Sequence, residues 1–347
     1  MKIRLCLFVL LFTLHANAQV GGLHTFSFLN LPSASFVNVL GPAADAAERT
    51  SISNAYRNPA LLDYSVNNAI EVNHTFWFAG IQSGYVATAK TIHKSVFAGG
   101  LQYINYGKFE SNDAYGNGNG FFNCSEYNAH LSWSKEIAPR YHFGYRSGFA
   151  ASYFEADNAY AWTNTLGVLY CDTSKRFKAG LTVSNFGFIG NHFGGKGRDP
   201  NESLPLDIRL SVSKRLEHMP FTFYAAAQHL ERFYLRYPEP IISTSIDGSD
   251  TIGAYTNKYI LDNIARHMAV GGVFHFGKSF DLQVGYNHLR RKELKNSDRA
   301  GLTGFSMGFE VKTKFAWVAY SRSYFNPGMA NNSLSFRIPM NWGKKSN

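Results

Sequence analysis

The stretch YHFGYRSGFAASY, residues 141 to 153, decides the fold class. Its odd-numbered positions are mainly aromatic: Tyr141, Phe143, Tyr145, Ser147, Phe149, Ala151 and Tyr153. Its even-numbered positions are small or polar: His142, Gly144, Arg146, Gly148, Ala150 and Ser152. Because successive side chains of a β-strand point to opposite faces, this alternation predicts a strand with one aromatic face and one small or polar face.

The same alternation recurs along most of the chain. Ile208, Leu210 and Val212 alternate with Arg209, Ser211 and Ser213, and comparable segments follow near residues 280, 305 and 334. We predict fourteen strands, near 69–78, 80–89, 94–107, 125–136, 140–154, 158–171, 175–187, 204–216, 220–231, 263–277, 279–290, 300–311, 313–324 and 331–341.

The length of these segments favours a barrel in lipid. About 10 to 14 residues suit a tilted transmembrane strand, whereas strands of globular sheets usually have about 5 or 6. The aromatic residues also lie toward the strand ends, as membrane-interface girdles do. The sequence therefore predicts an all-β protein, a transmembrane antiparallel β-barrel. A β-sandwich, which also alternates, is the competing interpretation.

The connections between the predicted strands fall into two sets. Short ones, such as 91–93 and 137–139, alternate with a set that contains the long connections 108–124, 188–203, 232–262 and 291–299. An even number of strands places both barrel termini on the periplasmic side, with the longer loops outside. The separation of long from short connections supports the predicted strand count.

The N-terminus predicts export. Lys2 and Arg4 precede an apolar stretch of about ten residues, too short to span a bilayer, and Ala16-Asn17-Ala18 offers small residues for a signal peptidase. We predict a signal peptide at 1–18, an N-terminal plug or hatch segment at 19–66 and an outer-membrane β-barrel at 67–347. The plug segment lacks strand alternation, yet its scattered apolar residues suit the lumen better than a mobile tail.

Composition limits the function classes. Charged residues make up 17% and aromatic residues 16%, which excludes a disordered chain. The net charge is +10, but export argues against nucleic acid and favours lipopolysaccharide or other outer-membrane lipid as the partner of the basic residues.

A search for catalytic chemistry finds no set of residues that would carry it. The histidines lack metal-ligand spacing to Cys, Asp or Glu, and His142, His267 and His275 fall on polar strand faces. The glycine-rich stretch 116–120 has no following Lys-Ser/Thr, so it predicts a flexible loop. Cys124 and Cys171 lie at opposite ends of the predicted barrel and should be free thiols. We predict a protein that is not an enzyme and has no metal or cofactor.

Several stretches resemble a known family. Residues 28–34 (FLNLPSA) and Asn58-Pro59-Ala60-Leu61-Leu62 are followed, in order, by 103–109 (YINYGKF), 204–209 (LPLDIR), 213–220 (SKRLEHMP) and 228–230 (QHL). Together they resemble the PorQ group of the PorV/PorQ family, and the Asn-Pro-Ala element is shared with fatty-acid transporters of the FadL type. Gly41-Pro42 departs from the family, whose members tend to have Gly-Gly there.

The resemblance implies a fourteen-stranded, FadL-like outer-membrane barrel of Bacteroidota. It implies a place in the attachment complex of the type IX secretion system, with PorU and PorV, as a membrane anchor that tethers the surface protein PorZ while cargo is processed and joined to anionic lipopolysaccharide. The family motif Asn58, Pro59, Ala60 and Leu61 would then belong to the plug. The long connection 232–262 would be the docking loop, with five candidate residues: Tyr237, Pro238, Pro240, Tyr255 and Tyr259.

Three alternatives stay open from the sequence. A FadL-type uptake channel for hydrophobic small molecules shares the fold and the Asn-Pro-Ala element, but it needs an apolar lumen pocket, and the inward positions here are polar. PorV itself, which carries cargo signals, fits the motifs less well. An outer-membrane enzyme would need a catalytic set that the sequence does not offer.

Overall fold

The protein, seen here in a computed structural model, is described for residues 24–48, 51–113, 115, 117–155, 157–193, 202–235, 260–294, 301–326 and 328–340. Fourteen antiparallel strands form a closed barrel in which each strand pairs with its neighbours in sequence and β14 pairs with β1. The strands are β1 Ala69–Phe76, β2 Gln82–Ile92, β3 Ser95–Asn112, β4 Gly118–Ala138, β5 Tyr141–Phe154, β6 Asp157–Asp172, β7 Phe177–Asn191, β8 Asp207–Arg215, β9 Phe221–Ala227, β10 Met268–Phe276, β11 Phe280–Asn287, β12 Phe305–Lys312, β13 Trp317–Asn326 and β14 Met329–Pro339.

The predicted alternation sets the two faces of the barrel wall. In β5, Tyr145 and Phe149 are exposed on the outside, whereas Arg146 and Gly148 are buried toward the lumen. Exposed apolar residues continue this outer face around the barrel, among them Ile70, Leu101, Leu131, Leu181, Leu210, Phe274, Met307 and Phe336. An apolar exterior over a polar interior is the arrangement of a transmembrane barrel and not of a sandwich. The predicted fold class is confirmed.

The two ends of the barrel differ. At one end, called here the turn end, strands are joined through 93–94, 139–140, 173–176, 216–220, 277–279 and 313–316, and the barrel termini lie there. At the other, the loop end, lie the longest connections, 192–206, 228–267 and 288–304. The prediction that long connections share one side is confirmed.

Three predicted boundaries are wrong for physical reasons. The supposed loop 108–124 is mostly a hairpin, because the β3–β4 ladder continues through Phe109 and Phe122, and Gly118 and Gly120 are part of β4. The predicted strands 263–277 and 279–290 include residues that form two loop-end helices, Ile260–His267 and His288–Leu294. Asp262 pairs with Arg266 of its own helix at 2.9 Å and joins the two helices through Lys292 at 3.0 Å. His267 is the last residue of the first helix and does not lie in a strand.

The described part of the plug segment, 24–48 and 51–66, packs inside the barrel. It contains two short helices, α1 Ser35–Leu40 and α2 Ile52–Ala55, and several 3-10 turns. (The loop-end helices are accordingly α3, Ile260–His267, and α4, His288–Leu294.) Its apolar side chains form three clusters with the wall: Phe28 with Ile104 and Leu204, Leu40 with Tyr224 and Val273, and Leu61 with Tyr85 and Ala87. No helix among the described residues is long and apolar enough to cross a membrane.

Candidate functional site: the interface between plug and barrel wall

The Asn-Pro-Ala element lies in the lumen. Asn58 is fully buried and begins a 3-10 turn, with its Oδ1 accepting a hydrogen bond from the Ala60 amide at 3.1 Å. Its Nδ2 donates to the Asp45 carbonyl at 2.9 Å. Pro59 occupies the first position of the turn, where its fixed φ suits the backbone and its missing N–H costs nothing. The Asn58 side chain thus holds two parts of the plug segment together.

A row of glycines in the wall receives this element. Gly144 of β5, Gly167 of β6 and Gly180 of β7 face the plug without a side chain. A Cβ at Gly144 would lie 2.2 Å from the Ala60 nitrogen, and one at Gly167 would lie 2.0 Å from Asn58 Oδ1. Both distances are far below van der Waals contact, so only glycine allows the plug backbone to come this close. We call Gly144, Gly167 and Gly180 the first glycine row.

A second glycine row supports α1 from another part of the wall. It consists of Gly271 of β10, Gly285 of β11 and Gly308 of β12. A Cβ at Gly285 would lie 2.0 Å from the Val39 carbonyl oxygen, and one at Gly271 would lie 2.3 Å from the Leu40 side chain. The plug is therefore in direct backbone contact with the wall on two sides.

Buried charges fix the plug between these rows. Asp45 of the plug pairs with Arg209 of β8 at 2.5 Å and with Arg57 at 3.0 Å. Arg209 also pairs with Asp207 at 2.7 Å, and the Asp45 and Arg209 side chains are 1% and 2% exposed. We call Asp45, Arg57, Asp207 and Arg209 the charge network. Its two acids and two bases balance, as buried charges must if they are to remain ionised.

Polar wall residues bond the plug elsewhere. Arg146 lies 3.9 Å from the centre of the Tyr56 ring and donates to the Tyr56 carbonyl and, at 2.8 Å, to Thr165. Asn38 donates to Ser321 at 3.0 Å, and the Ser35 amide donates to Ser335 at 2.8 Å. The polar inward face predicted from sequence is thus largely occupied in holding the plug.

Toward the turn end, the wall binds Glu48 of the plug segment. Glu48 accepts hydrogen bonds from Thr222 at 2.6 Å and Arg215 at 2.8 Å. His275 lies beside it, with Nε2 3.5 Å from the Glu48 carboxylate and Nδ1 2.7 Å from Asp281. The predicted lumen position of His275 is correct.

A cavity remains between the plug and the wall at the turn end, which we call the plug–wall cavity. Its empty volume is about 670 Å³, including the part open to solvent. Its lining includes the apolar residues Phe36, Tyr224 and Val273. It also includes the polar residues Ser51, Ser53, Asn54, Glu71, His275, Asp281, Gln283, Glu310, Ser335 and Arg337. The cavity is thus amphiphilic, unlike the uniformly polar lumen expected from the inward positions.

The loop end contains a cluster of potential metal ligands that the sequence search missed. Donor atoms of Asp207, His229 and Glu231 lie within 4.8 Å of one another. Glu231 pairs with Arg232 at 3.3 Å, however, and Asp207 belongs to the charge network. Burial alone would lower the pKa of His229, but the hydrogen bond to Glu231 and the charge of Asp207 raise it. A raised pKa favours an imidazolium paired with carboxylates over a neutral metal ligand.

The structure describes some of the predicted residues and not others. Asn58, Pro59, Ala60 and Leu61 lie together in the lumen, and all four are buried. Cys124 at the loop end of β4 and Cys171 at the turn end of β6 are free, as predicted. The signal peptide 1–18 and the docking residues Tyr237, Pro238, Pro240, Tyr255 and Tyr259 lie outside the described residues. Sequence analysis missed Asp45 and Arg209, although Arg209 stood out as a charge on an inward strand face.

Comparison with solved structures identifies the fold. A deltaS2S3 mutant of the TodX monoaromatic hydrocarbon channel has a TM-score of 0.55 at 11% identity, covering 88% of this chain and 98% of that one. The CymD monoaromatic hydrocarbon channel has a TM-score of 0.51 at 10% identity, over 89% and 98%. A Pseudomonas aeruginosa FadL homologue is 12% identical over 89% and 98%, with a TM-score of 0.46.

The chain shares its fold with the TodX and CymD channels. In this chain the barrel has the fourteen closed strands and the N-terminal plug described above. No protein-family model and no curated protein matches the chain.

Proposed function

We propose that this chain is a non-enzymatic outer-membrane barrel of the FadL type that takes up small hydrophobic molecules through its plugged lumen. The apolar outer face and the even strand number support an outer-membrane site, reached by the predicted signal peptide. The plug–wall cavity is the observation that carries the proposal, because it offers Phe36, Tyr224 and Val273 to an apolar solute inside the barrel. The two compared structures with the higher TM-scores are by name monoaromatic hydrocarbon channels, which favours this function over an anchor.

A crosslink tests whether passage requires the plug to move. Ser35 Oγ of α1 lies 3.0 Å from Ser335 Oγ of β14, so the pair Ser35→Cys and Ser335→Cys should form a disulfide. Cys124→Ser and Cys171→Ser remove the competing thiols. In intact cells that lack their own channel, we expect labelled toluene to accumulate with the reduced protein and not with the oxidised one. Equal accumulation in both states, or none in either, would reject uptake by plug movement.

A second candidate is the membrane anchor of the type IX attachment complex, together with PorU, PorV and PorZ. One specific observation favours it: the charge network and both glycine rows hold the plug tightly, as a permanently closed barrel would require. The barrel would then serve to present its loop end, with the connection 228–267, to PorZ and to lipopolysaccharide-linked cargo.

The crosslinked variant and a loop deletion distinguish the two functions when PorZ retention and hydrocarbon uptake are both measured. A permanently closed anchor should retain PorZ at the cell surface equally well with the 35–335 disulfide oxidised or reduced. Deletion of 236–260 should release PorZ if this connection is the docking loop. The same deletion should leave hydrocarbon uptake through the lumen unchanged. Wild-type PorZ retention by the deletion variant would contradict the docking proposal.

A further inference from the structure

The loop-end helix α3 has an exposed apolar side. Ile260, Leu261 and Ile264 are 45%, 82% and 46% exposed. With 3.6 residues per turn, these three positions fall within about 100° of the helix circumference. They therefore form one apolar stripe that the described part of the protein leaves open.

The polar side of α3 is turned toward the protein. Asn263 Oδ1 accepts a hydrogen bond from the Leu235 amide at 2.9 Å, and His267 Nδ1 lies 2.7 Å from the Gln228 carbonyl oxygen. Asp262 pairs with a lysine of α4 at 3.0 Å. A surface helix in water has the opposite arrangement, with its polar side outward and its apolar side against the core. An apolar exterior with a polar interior is the arrangement of the barrel wall, where lipid lies outside.

The exposed side of α3 continues the lipid-facing surface of β10. The helix ends at His267 and the strand begins at Met268, with no residue between them. Met268 is 39% exposed and belongs to the outward face of β10, together with Phe274 and Phe276. Ile264 precedes Met268 by about one helical turn. The apolar exterior of the barrel thus extends past the end of the strand onto the helix.

The barrel wall next to α3 is too low to cover the apolar layer of a membrane alone. Strand β9 has 7 residues and β10 has 9, whereas β3 and β4 have 18 and 21. The residues of β9, at about 3.3 Å each and tilted by about 40°, rise about 18 Å, compared with an apolar band of about 25 Å on transmembrane barrels. Other apolar residues have to meet the lipid above β9 and β10, and α3 supplies them.

We propose that α3 lies in the outer leaflet of the membrane, with Ile260, Leu261 and Ile264 in contact with lipid acyl chains. A helix satisfies its own backbone hydrogen bonds, so it is a suitable element at this depth. Its 8 residues are too few to cross the bilayer, and it completes the lipid-facing surface where the strands are short. The proposal rests on the outer-membrane site proposed above and not on uptake.

Fluorescence quenching in vesicles tests the proposal. The full-length mature barrel with Cys124→Ser and Cys171→Ser receives one new cysteine, Leu261→Cys, which is labelled with nitrobenzoxadiazole and inserted into phosphatidylcholine vesicles. One quencher is a phosphatidylcholine with a doxyl group in the upper part of its acyl chain, and the other is iodide on both sides of the bilayer. We expect the label at 261 to lose most of its fluorescence to the doxyl lipid and little to iodide. Ile264→Cys, on the same side of α3, should give the same result.

Two control positions calibrate the quenchers. Leu131→Cys, at a position 73% exposed in the middle of β4, reports contact with lipid. Tyr115→Cys, at a position 91% exposed between β3 and β4 at the loop end, reports contact with water.

The outcomes separate this proposal from the membrane site on which it rests. If iodide quenches the label at 261 as it does at 115, α3 lies in water. If neither quencher reaches 261, a second copy or another segment of the protein covers the helix. Each of these results overturns the proposal while quenching at 131 by the doxyl lipid upholds the barrel. Loss of lipid quenching at 131 as well would overturn both.

Discussion

Asn58 of the plug and Gly167 of β6 are so close that a Cβ at position 167 would lie 2.0 Å from Asn58 Oδ1. That oxygen already accepts a hydrogen bond from the Ala60 amide, and the Asn58 Nδ2 donates one to the Asp45 carbonyl. Asn58 therefore cannot turn away from the wall without losing both bonds. The Asn-Pro-Ala element and the glycine of the wall form one complementary surface.

We expect Gly167→Ala to displace the plug. The added methyl group would overlap Asn58 Oδ1. If Asn58 moved away to remove the overlap, its buried hydrogen bonds would break, at about 1–3 kcal/mol for each polar group left unpaired. Protease cleavage within the plug segment of the purified barrel should become faster. The matched control is Gly190→Ala in β7, where the nearest atom to the new Cβ is the Tyr160 carbonyl oxygen at 3.8 Å, an ordinary contact. Equal cleavage rates in the two variants would contradict the close approach.

Asp45→Asn should destabilise the plug more than any exposed charge change does. Arg209 and Arg57 would keep their positive charges in a buried site with one partner fewer, and breaking a buried pair in this way costs about 3–5 kcal/mol. Hydrogen exchange of the segment 35–48 measures the loss. Glu136→Gln, at an exposed position of β4, is the control. The double variant Asp45→Asn with Arg209→Met should recover part of the protection, and no recovery would argue against the charge network as the cause.

The barrel was predictable because each strand carries its own evidence. Alternation along Tyr141–Phe154 depends only on the period of a strand and on which face meets lipid. The plug contacts were not predictable in this way. Asp45 and Arg209 are 164 residues apart, and nothing local to either residue indicates the other. The alternation identifies Gly144 only as a small residue on a polar strand face, because its role depends on a plug whose path the alternation does not describe.

Two of the wrong boundaries lie at the loop end, where the sequence predicts strand and the structure has helix. Residues 263–267 and 288–290 adjoin segments with clear alternation, so the sequence analysis includes them in strands. In the structure they are helical, because Asp262 can pair with Arg266 one turn away in α3 and with Lys292 in α4. Such pairs exist only once a helix has formed, and alternation over a few residues does not exclude that helix.

The two cysteines should differ in reactivity. Cys124 is 3% exposed at the loop end of β4, whereas Cys171 is partly exposed at the turn end of β6. We expect a water-soluble maleimide to label Cys171 in the folded barrel and Cys124 only after denaturation, without any reductant. Cys171→Ser should abolish labelling of the folded protein, and Cys124→Ser should leave it unchanged. A need for reductant would contradict the free thiols.

His229 should make the start of the 228–267 connection sensitive to pH. Burial disfavours its charge, yet the Glu231 hydrogen bond and Asp207 raise its pKa above the ordinary 6.5. A raised pKa in the folded state contributes stability that is complete below about pH 6.5 and is lost as the pH rises through the folded value. Burial likewise opposes the charge of Glu231, but its hydrogen bond to His229 lowers its pKa from 4.5, so its contribution is lost only as the pH falls through that lowered value.

The prediction is that this connection is best anchored in mildly acidic solution and loosens toward alkaline pH. Two hydrogen bonds of backbone amides report the change. The Leu230 amide donates to the Ile208 carbonyl at 3.0 Å, and the Ile208 amide donates to the Glu231 carboxylate at 3.0 Å. Amide exchange of residues 206–212 and 228–235 should therefore rise more steeply with pH in the wild type than in His229→Gln. His218→Gln, at an exposed turn-end position, should behave as the wild type does. If His229→Gln and the wild type show the same pH dependence, the imidazolium does not anchor the connection.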